Sequence, residues 1–180
     1  MQQAGKAVGI VPVEGRGSLP FTLLHGEPLV VVASWALDEA AVELLDFDIA
    51  WADVQALGSA LVIHDPLCPG TPPEFLVRAI EAADGNVVVG VRPVTDTVKR
   101  VEDGAVGETI DRDGLLAVAS PVVLPPAVVA SLRDFPPLED LAVLVALLRE
   151  AGDVTYLEAP TEARRVADES DVQLLQGLRN

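Results

Sequence analysis

Short, mostly apolar runs alternate along the chain with segments whose apolar residues recur at helical spacing. Residues 7–12, 59–63 and 87–91 are short, apolar and Val-, Leu- or Ile-rich, and read as buried strands; 115–120 and 153–157 read as further strands. Phe75, Leu76, Ala79, Ile80 and Ala83 form one face of a helix that starts at Pro72-Pro73 and is stopped by Asp84-Gly85-Asn86. A short helix is expected over 125–132. The clearest one covers 138–151, with Leu141, Val145 and Leu148 in line, and a last one covers 168–178 behind an Asp168 or Ser170 cap. Residues 29–45 are ambiguous. Three consecutive valines favour a strand, but Trp35, Leu37, Ala41, Leu44 and Leu45 recur near helical spacing. A helix from Pro28 or Leu37 to Leu45 is expected, followed by a second helical piece over 46–58. Strand and helix alternate throughout, which predicts an α/β fold with a largely parallel sheet and right-handed crossovers.

One stretch departs from this pattern. Residues 92–121 carry β-branched Val94, Val98, Val101, Val106 and Ile110, interleaved with Thr95, Asp96, Thr97, Lys99 and Arg100. Glu102-Asp103-Gly104 and Asp113-Gly114 are turn signals. Two strands this polar cannot fill a core alone, so the hairpin must lie over a site or over a partner chain.

A chain of 180 residues is expected to form one domain with a real core. Half of it is hydrophobic but only 4% is aromatic, so that core must be built from Val, Leu, Ala and Ile. The 28 acidic against 12 basic residues give a net charge of −16, with no strong basic cluster, which argues against nucleic acid and anionic lipid as partners. Cys68 is the only cysteine, so no internal disulfide or thiolate metal cluster is expected, and the cytoplasm is the expected compartment. No signal peptide is expected from residues 1–9, and the longest apolar run, 29–33, is far too short to span a bilayer.

Two loops carry candidate chemistry. Glu14-Gly15-Arg16-Gly17-Ser18 follows the first strand. Such a turn is either a phosphate cradle, whose N–H groups face outward where Gly admits the ligand, or a plain loop. His64-Asp65-Pro66 ends the second buried strand, and ligands of open α/β sheets collect at such carboxyl ends. Asp65 is either a Mg2+ ligand or a turn residue ahead of Pro66, and His64 reads as a packed, hydrogen-bonded histidine. Asp46, Asp48 and Asp53 read as a solvated face. Cys68 has no neighbouring base in sequence to activate it, and Trp35 and Trp51 read as core or dimer anchors.

Together, VIHDPLCP at 62–69, VRPVTDTVKRVEDGAVGETIDRDGL at 91–115 and AVASP at 117–121 resemble the 2-C-methyl-D-erythritol 4-phosphate cytidylyltransferases of isoprenoid biosynthesis in sequence, order and spacing. The resemblance covers the C-terminal two thirds well and the first third poorly. It implies a Rossmann-like nucleotidyltransferase fold, three-layer αβα, as a single domain over 1–180. Residues 92–121 would be a protruding β-arm that clasps a second subunit into a homodimer. It further implies transfer of CMP from CTP to methylerythritol phosphate or a related polyol phosphate, with Mg2+. By the same resemblance Gly15, Arg16 and Gly17 occupy the phosphate loop, and Asp65 matches the metal-binding acid. Asp96, Thr97, Lys99 and Arg100 match the arm run beside the sugar-phosphate site. Asp111 and Arg112 match its D-R pair, Ser120 stands where the family has Thr, and Arg165 where it has Lys.

The departures bear on activity. Phe21 stands at the phosphate-loop Lys position, and Cys68 replaces an Arg of the family's HDAARP run. The family's Thr-Asp-acid run before the long helix is reduced to Leu138-Glu139-Asp140. The segment between Trp35 and Ser59, which in the family carries a strand and part of the cytosine pocket, is several tens of residues shorter. One such cation is worth about 3 kcal/mol of transition-state stabilisation. The expectation is a divergent relative with weak or no catalysis and a binding or partner role. The alternative is a working nucleotidyltransferase in which Arg16 and Arg165 take the phosphates and Lys99 and Arg112 hold the acceptor.

Overall fold

The computed structural model describes residues 7–94, 98–102, 105–110 and 114–177, with only the backbone course for 98–102 and 105–110. The strands are β1 (Val8–Ile10), β2 (Leu23–Leu24), β3 (Glu27–Pro28), β4 (Glu43–Leu44), β5 (Leu61–Ile63), β6 (Val87–Pro93), β7 (Val98–Glu102), β8 (Ala105–Ile110), β9 (Leu116–Leu124) and β10 (Val154–Glu158). The helices are α1 (Leu29–Glu39), α2 (Trp51–Ala56), α3 (Pro73–Ala82), α4 (Pro126–Ser131), α5 (Leu141–Ala151) and α6 (Glu169–Gly177). Six strands form one sheet in the order β10-β6-β9-β5-β1-β4; β2 and β3 pair separately, as do β7 and β8. All neighbours in the large sheet run parallel except β9, which is antiparallel to both β5 and β6.

Side chains alternate across this sheet, and the two faces bury different sets. Leu61, Ile63, Val87, Val89 and Val122 face one way, against Trp51 and Val54 of α2, Val129 of α4 and Leu144 and Leu148 of α5. Val62, Val88 and Val123 face the other, against Leu37 of α1 and Leu76 and Ala79 of α3. The result is the three-layer α/β/α arrangement, cored by small aliphatic residues as the composition requires.

Two sequence expectations need correction. The first helix does not reach Leu45. It runs from Leu29, directly after Pro28, and buries Leu29, Ala33 and Leu37 at intervals of one turn. Ala41 then takes a positive φ of 58°, which ends the helix, and Leu44 enters the sheet beside Gly9. Gly9 permits this, because a Cβ there would come within 2.7 Å of Val42 and 3.0 Å of Leu37. The following piece is helical only from Trp51, so 46–50 is loop.

The second correction concerns the strand expected over 115–120, which Pro121 does not end: β9 continues to Leu124. The pairing with β6 shifts register between Val89 and Val91, so the ladder is already interrupted where proline has no N–H to give. Gly90 makes room for the irregularity, since a Cβ there would meet the Ser120 carbonyl. That bulge sets Ser120 against the end of β5. Among the described residues no helix is long and apolar enough to cross a membrane.

Candidate functional site

The carboxyl ends of β1 and β5 emerge side by side, tied by the His64 N–H donating to the Ile10 carbonyl at 3.0 Å. The loop leaving β1 holds Gly15 and Gly17 at φ of 73° and 58°, in the left-handed region. Gly15 packs on the Glu139 backbone so closely that a Cβ would lie 2.7 Å from its carbonyl oxygen. The loop leaving β5 receives the C-terminal segment. The Val166 N–H donates to the Leu67 carbonyl at 2.7 Å, and Gly70 lies directly beneath the Glu162 carbonyl, which leaves no space for a side chain. These two contacts deliver Arg165 to the end of β5.

At the junction stands Asp65, 2% exposed. Its Oδ1 accepts from Arg16 Nε at 2.9 Å and from the Leu67 N–H at 3.0 Å, and its Oδ2 accepts from Arg165 Nε at 3.0 Å. The two arginines differ. The Arg16 side chain is 1% exposed, and its Nη1 donates to the carbonyls of Glu14 at 2.7 Å and Leu138 at 2.9 Å. It is a staple between the first loop and the segment before α5. The Arg165 side chain is 45% exposed and faces a cavity of about 450 Å³ lined also by Gly15, Asp65, Val118, Glu139 and Asp140. Asp140 is partly committed as the cap of α5, its Oδ1 accepting from Ala142 N at 2.8 Å.

Behind Asp65 lies a second buried pair. Ser120 Oγ accepts from the Asp65 N–H at 2.9 Å and sits 2.6 Å from His64 Nδ1. His64 is fully buried, and its Nε2 finds no partner among the described residues. Burial pushes its pKa down to about 4, against an opposing pull from the Asp65 carboxylate, so the ring is neutral at pH 7. Burial, assisted by the Asp65 charge, raises the Cys68 thiol well above its ordinary range, which leaves it inert.

The structure therefore brings together Gly15, Arg16, Asp65, Ser120 and Arg165, but only Gly15, Asp65 and Arg165 reach the cavity. Gly17 is not part of its lining. Phe21 is 57% exposed and is also absent from that lining. Lys99 and Arg100 fall on β7, where only the backbone is described, and Asp96, Thr97, Asp111 and Arg112 lie outside the described residues. Asp65, expected to hold Mg2+, has both oxygens occupied by N–H donors. No group of three potential ligands converges anywhere among the described residues. This donor set does not fit a metal held by the protein. Glu139 and Asp140 are cavity residues that sequence reading mentioned only as a reduced motif; the Asp ahead of an apolar period was the available signal.

Residues 50–136 match the family model of IspD, 2-C-methyl-D-erythritol 4-phosphate cytidylyltransferase. A cytidylyltransferase of that name from Rhodococcus jostii is 37% identical over 120 residues, 64% of this chain and 49% of the relative. One from Corynebacterium efficiens is 39% identical over 79 residues, 41% of this chain and 32% of the relative. The chain thus spans about half or less of the length of these curated relatives. In fold, it superposes on the crystal structure of the Thermus thermophilus cytidylyltransferase with a TM-score of 0.70 at 21% identity, covering 96% of this chain and 98% of the other. Over residues 50–136 the chain is similar to the 2-C-methyl-D-erythritol 4-phosphate cytidylyltransferase family, and it shares the fold of that family's solved structures.

Proposed function

We propose that this protein binds CTP at the carboxyl ends of β1 and β5 and transfers CMP to a polyol phosphate far more slowly than a fully equipped cytidylyltransferase. One observation carries this reading. Arg16 is locked between Asp65 and two backbone carbonyls, which leaves Arg165 as the one cationic side chain among the described residues lining the cavity beside Asp65. An in-line transfer needs the acceptor phosphate oxygen to form a bond to the α-phosphorus while the bond to pyrophosphate breaks. Negative charge then builds on the departing oxygens, and preorganised cations lower that barrier.

In this proposal the Gly15 loop approaches the phosphates, and Arg165 supplies the N–H groups not used by Asp65. By resemblance to the family, Asp96, Thr97, Lys99, Arg100, Asp111 and Arg112 of the hairpin meet the acceptor, and Ser120 supports Asp65 from behind. Any Mg2+ would travel as the counter-ion of CTP, because both Asp65 oxygens already accept from N–H donors. The hairpin pairs with that of a second copy, and the protein acts in the cytoplasm. The exceptional polarity of residues 92–121 supports the pairing.

The test is pyrophosphate release with CTP and methylerythritol phosphate, run beside calorimetry with CTP. The expected result is measurable CTP binding with turnover at least about 100-fold below that of a family member assayed alongside. Arg165→Ala is expected to weaken CTP about tenfold or more, since a hydrogen bond to a charged group is worth about 1.5–3 kcal/mol. Turnover at the level of the family member would establish the alternative, an active cytidylyltransferase, which the names of the curated relatives favour. Absence of heat at millimolar CTP would end both readings. Gel filtration at micromolar concentration is expected to give a dimer, and a strict monomer would remove the clasp.

A further inference from the structure

A second cavity, of about 680 Å³, borders the same C-terminal segment that carries Arg165. It shares no lining residue with the cavity beside Asp65. The backbone at Arg164 is extended, with φ −61° and ψ 143°, so successive side chains leave the segment on opposite sides. Arg165 turns to Asp65, while Arg164, with Thr161 and Glu162, lines the second cavity. The remaining walls come from the β2–β3 hairpin, α1, the loop leaving β5, and α6.

The apolar part of this lining includes a tryptophan that the core does not use. α1 buries Leu29, Ala33 and Leu37, and Val32 and Trp35 fall about one turn apart on another face. Trp35 is 52% exposed, and Leu24, Val32 and Leu175 line the cavity with it. A concave, mostly apolar surface of this volume suits a small molecule.

The polar lining says which kind. It consists of His25, Glu27, Thr161, Glu162 and Arg164. Glu27 and Glu162 make no side-chain hydrogen bond or ion pair among the described residues. The Arg164 charge is already met, because its Nη2 donates to Asp171 Oδ1 at 2.9 Å. Two uncommitted carboxylates beside an indole favour a cation and repel an anion. A neutral apolar compound would strip water from the carboxylates and return nothing.

We infer that this cavity is a binding site for a small organic cation with an apolar body, such as a quaternary or aryl-alkyl ammonium. The charged head is held by Glu27, Glu162 and the Trp35 ring, and the hydrocarbon part rests on Leu24, Val32 and Leu175. The site is separate from the proposed nucleotide site and does not depend on it.

Calorimetry of the full chain with benzyltrimethylammonium, benzyl alcohol and benzoate tests this. The cation is expected to bind at least about tenfold tighter than the alcohol, with benzoate weaker than either. Trp35→Ala and the double variant Glu27→Gln/Glu162→Gln are each expected to weaken the cation about tenfold. All three side chains are exposed, so both variants should keep the wild-type circular dichroism. Asp46→Asn/Asp48→Asn removes the same charge elsewhere and is expected to leave the affinity unchanged. Binding of the cation no tighter than the alcohol, or no binding at all, overturns the site. So does wild-type affinity in Trp35→Ala or in Glu27→Gln/Glu162→Gln. An equal loss in Asp46→Asn/Asp48→Asn would show only a general attraction of cations to an acidic chain, and would overturn it as well.

Discussion

Asp65→Ala will cost about 3–5 kcal/mol of folding stability, one of the largest single-residue effects expected in this chain. The reason lies in what the carboxylate leaves behind. Arg16 would keep its charge at 1% side-chain exposure, with only the Glu14 and Leu138 carbonyls to face it, and the Leu67 N–H would lose its acceptor. Arg165 contributes little to the loss, because a side chain already 45% exposed turns into water. Urea denaturation of wild type, Asp65→Ala and Asp65→Ala/Arg16→Met measures this. The double variant removes both charges and is expected to recover much of the stability. A metal-binding acid would behave in the opposite way, since its removal relieves a buried charge. An unchanged or raised denaturation midpoint in Asp65→Ala would therefore restore the metal role.

Acid will weaken the fold through His64. Its native pKa of about 4 lies below the ordinary 6.5, so between those values the unfolded chain binds a proton that the native ring refuses. Stability then falls as pH drops, by about 1.4 kcal/mol per pH unit, reaching roughly 3 kcal/mol by pH 4 and levelling off below it. The native ring resists protonation because it is fully buried, so the charged form would be stripped of water, and its Nε2 has no partner among the described residues. Denaturant midpoints at pH 7 and 4.5 check it. Carboxylates contribute over part of the same range, so the quantity to read is the difference between wild type and His64→Gln. A His64→Gln profile parallel to the wild-type profile would show that His64 is not the source.

The layered fold was legible because short Val- and Leu-rich runs and helical periods survive in most elements. The place of Asp65 was legible too, because the apolar run Leu61–Ile63 ends directly before His64-Asp65. What Asp65 does was not legible. Its partners Arg16 and Arg165 are 49 and 100 positions away, and no local pattern reports that both guanidinium groups turn toward one carboxylate. Residues 29–45 misled because three valines satisfy either element, and the outcome was decided by Gly9 admitting Leu37 and Val42 at close range. The two tryptophans, read alike from sequence, part company: Trp51 donates to the Leu132 carbonyl from a buried site, whereas Trp35 is 52% exposed. A cavity of about 570 Å³ lined by Phe47 and Phe135 was invisible because residues 45–49 and 135–139 have no period. They meet only through tertiary structure, in a region where the sequence suggested that a base pocket was cut back.

The antiparallel strand in the middle of the sheet has a consequence for how the molecule is assembled. β4, β1 and β5 belong to one flank and β6 and β10 to the other, and no ladder joins the flanks except through Val122 and Val123, which pair with both. During synthesis the early flank must wait with a raw edge until residue 124 has left the ribosome. The seam between the two flanks can close only after that, and its closing brings Ser120 to the Asp65 N–H.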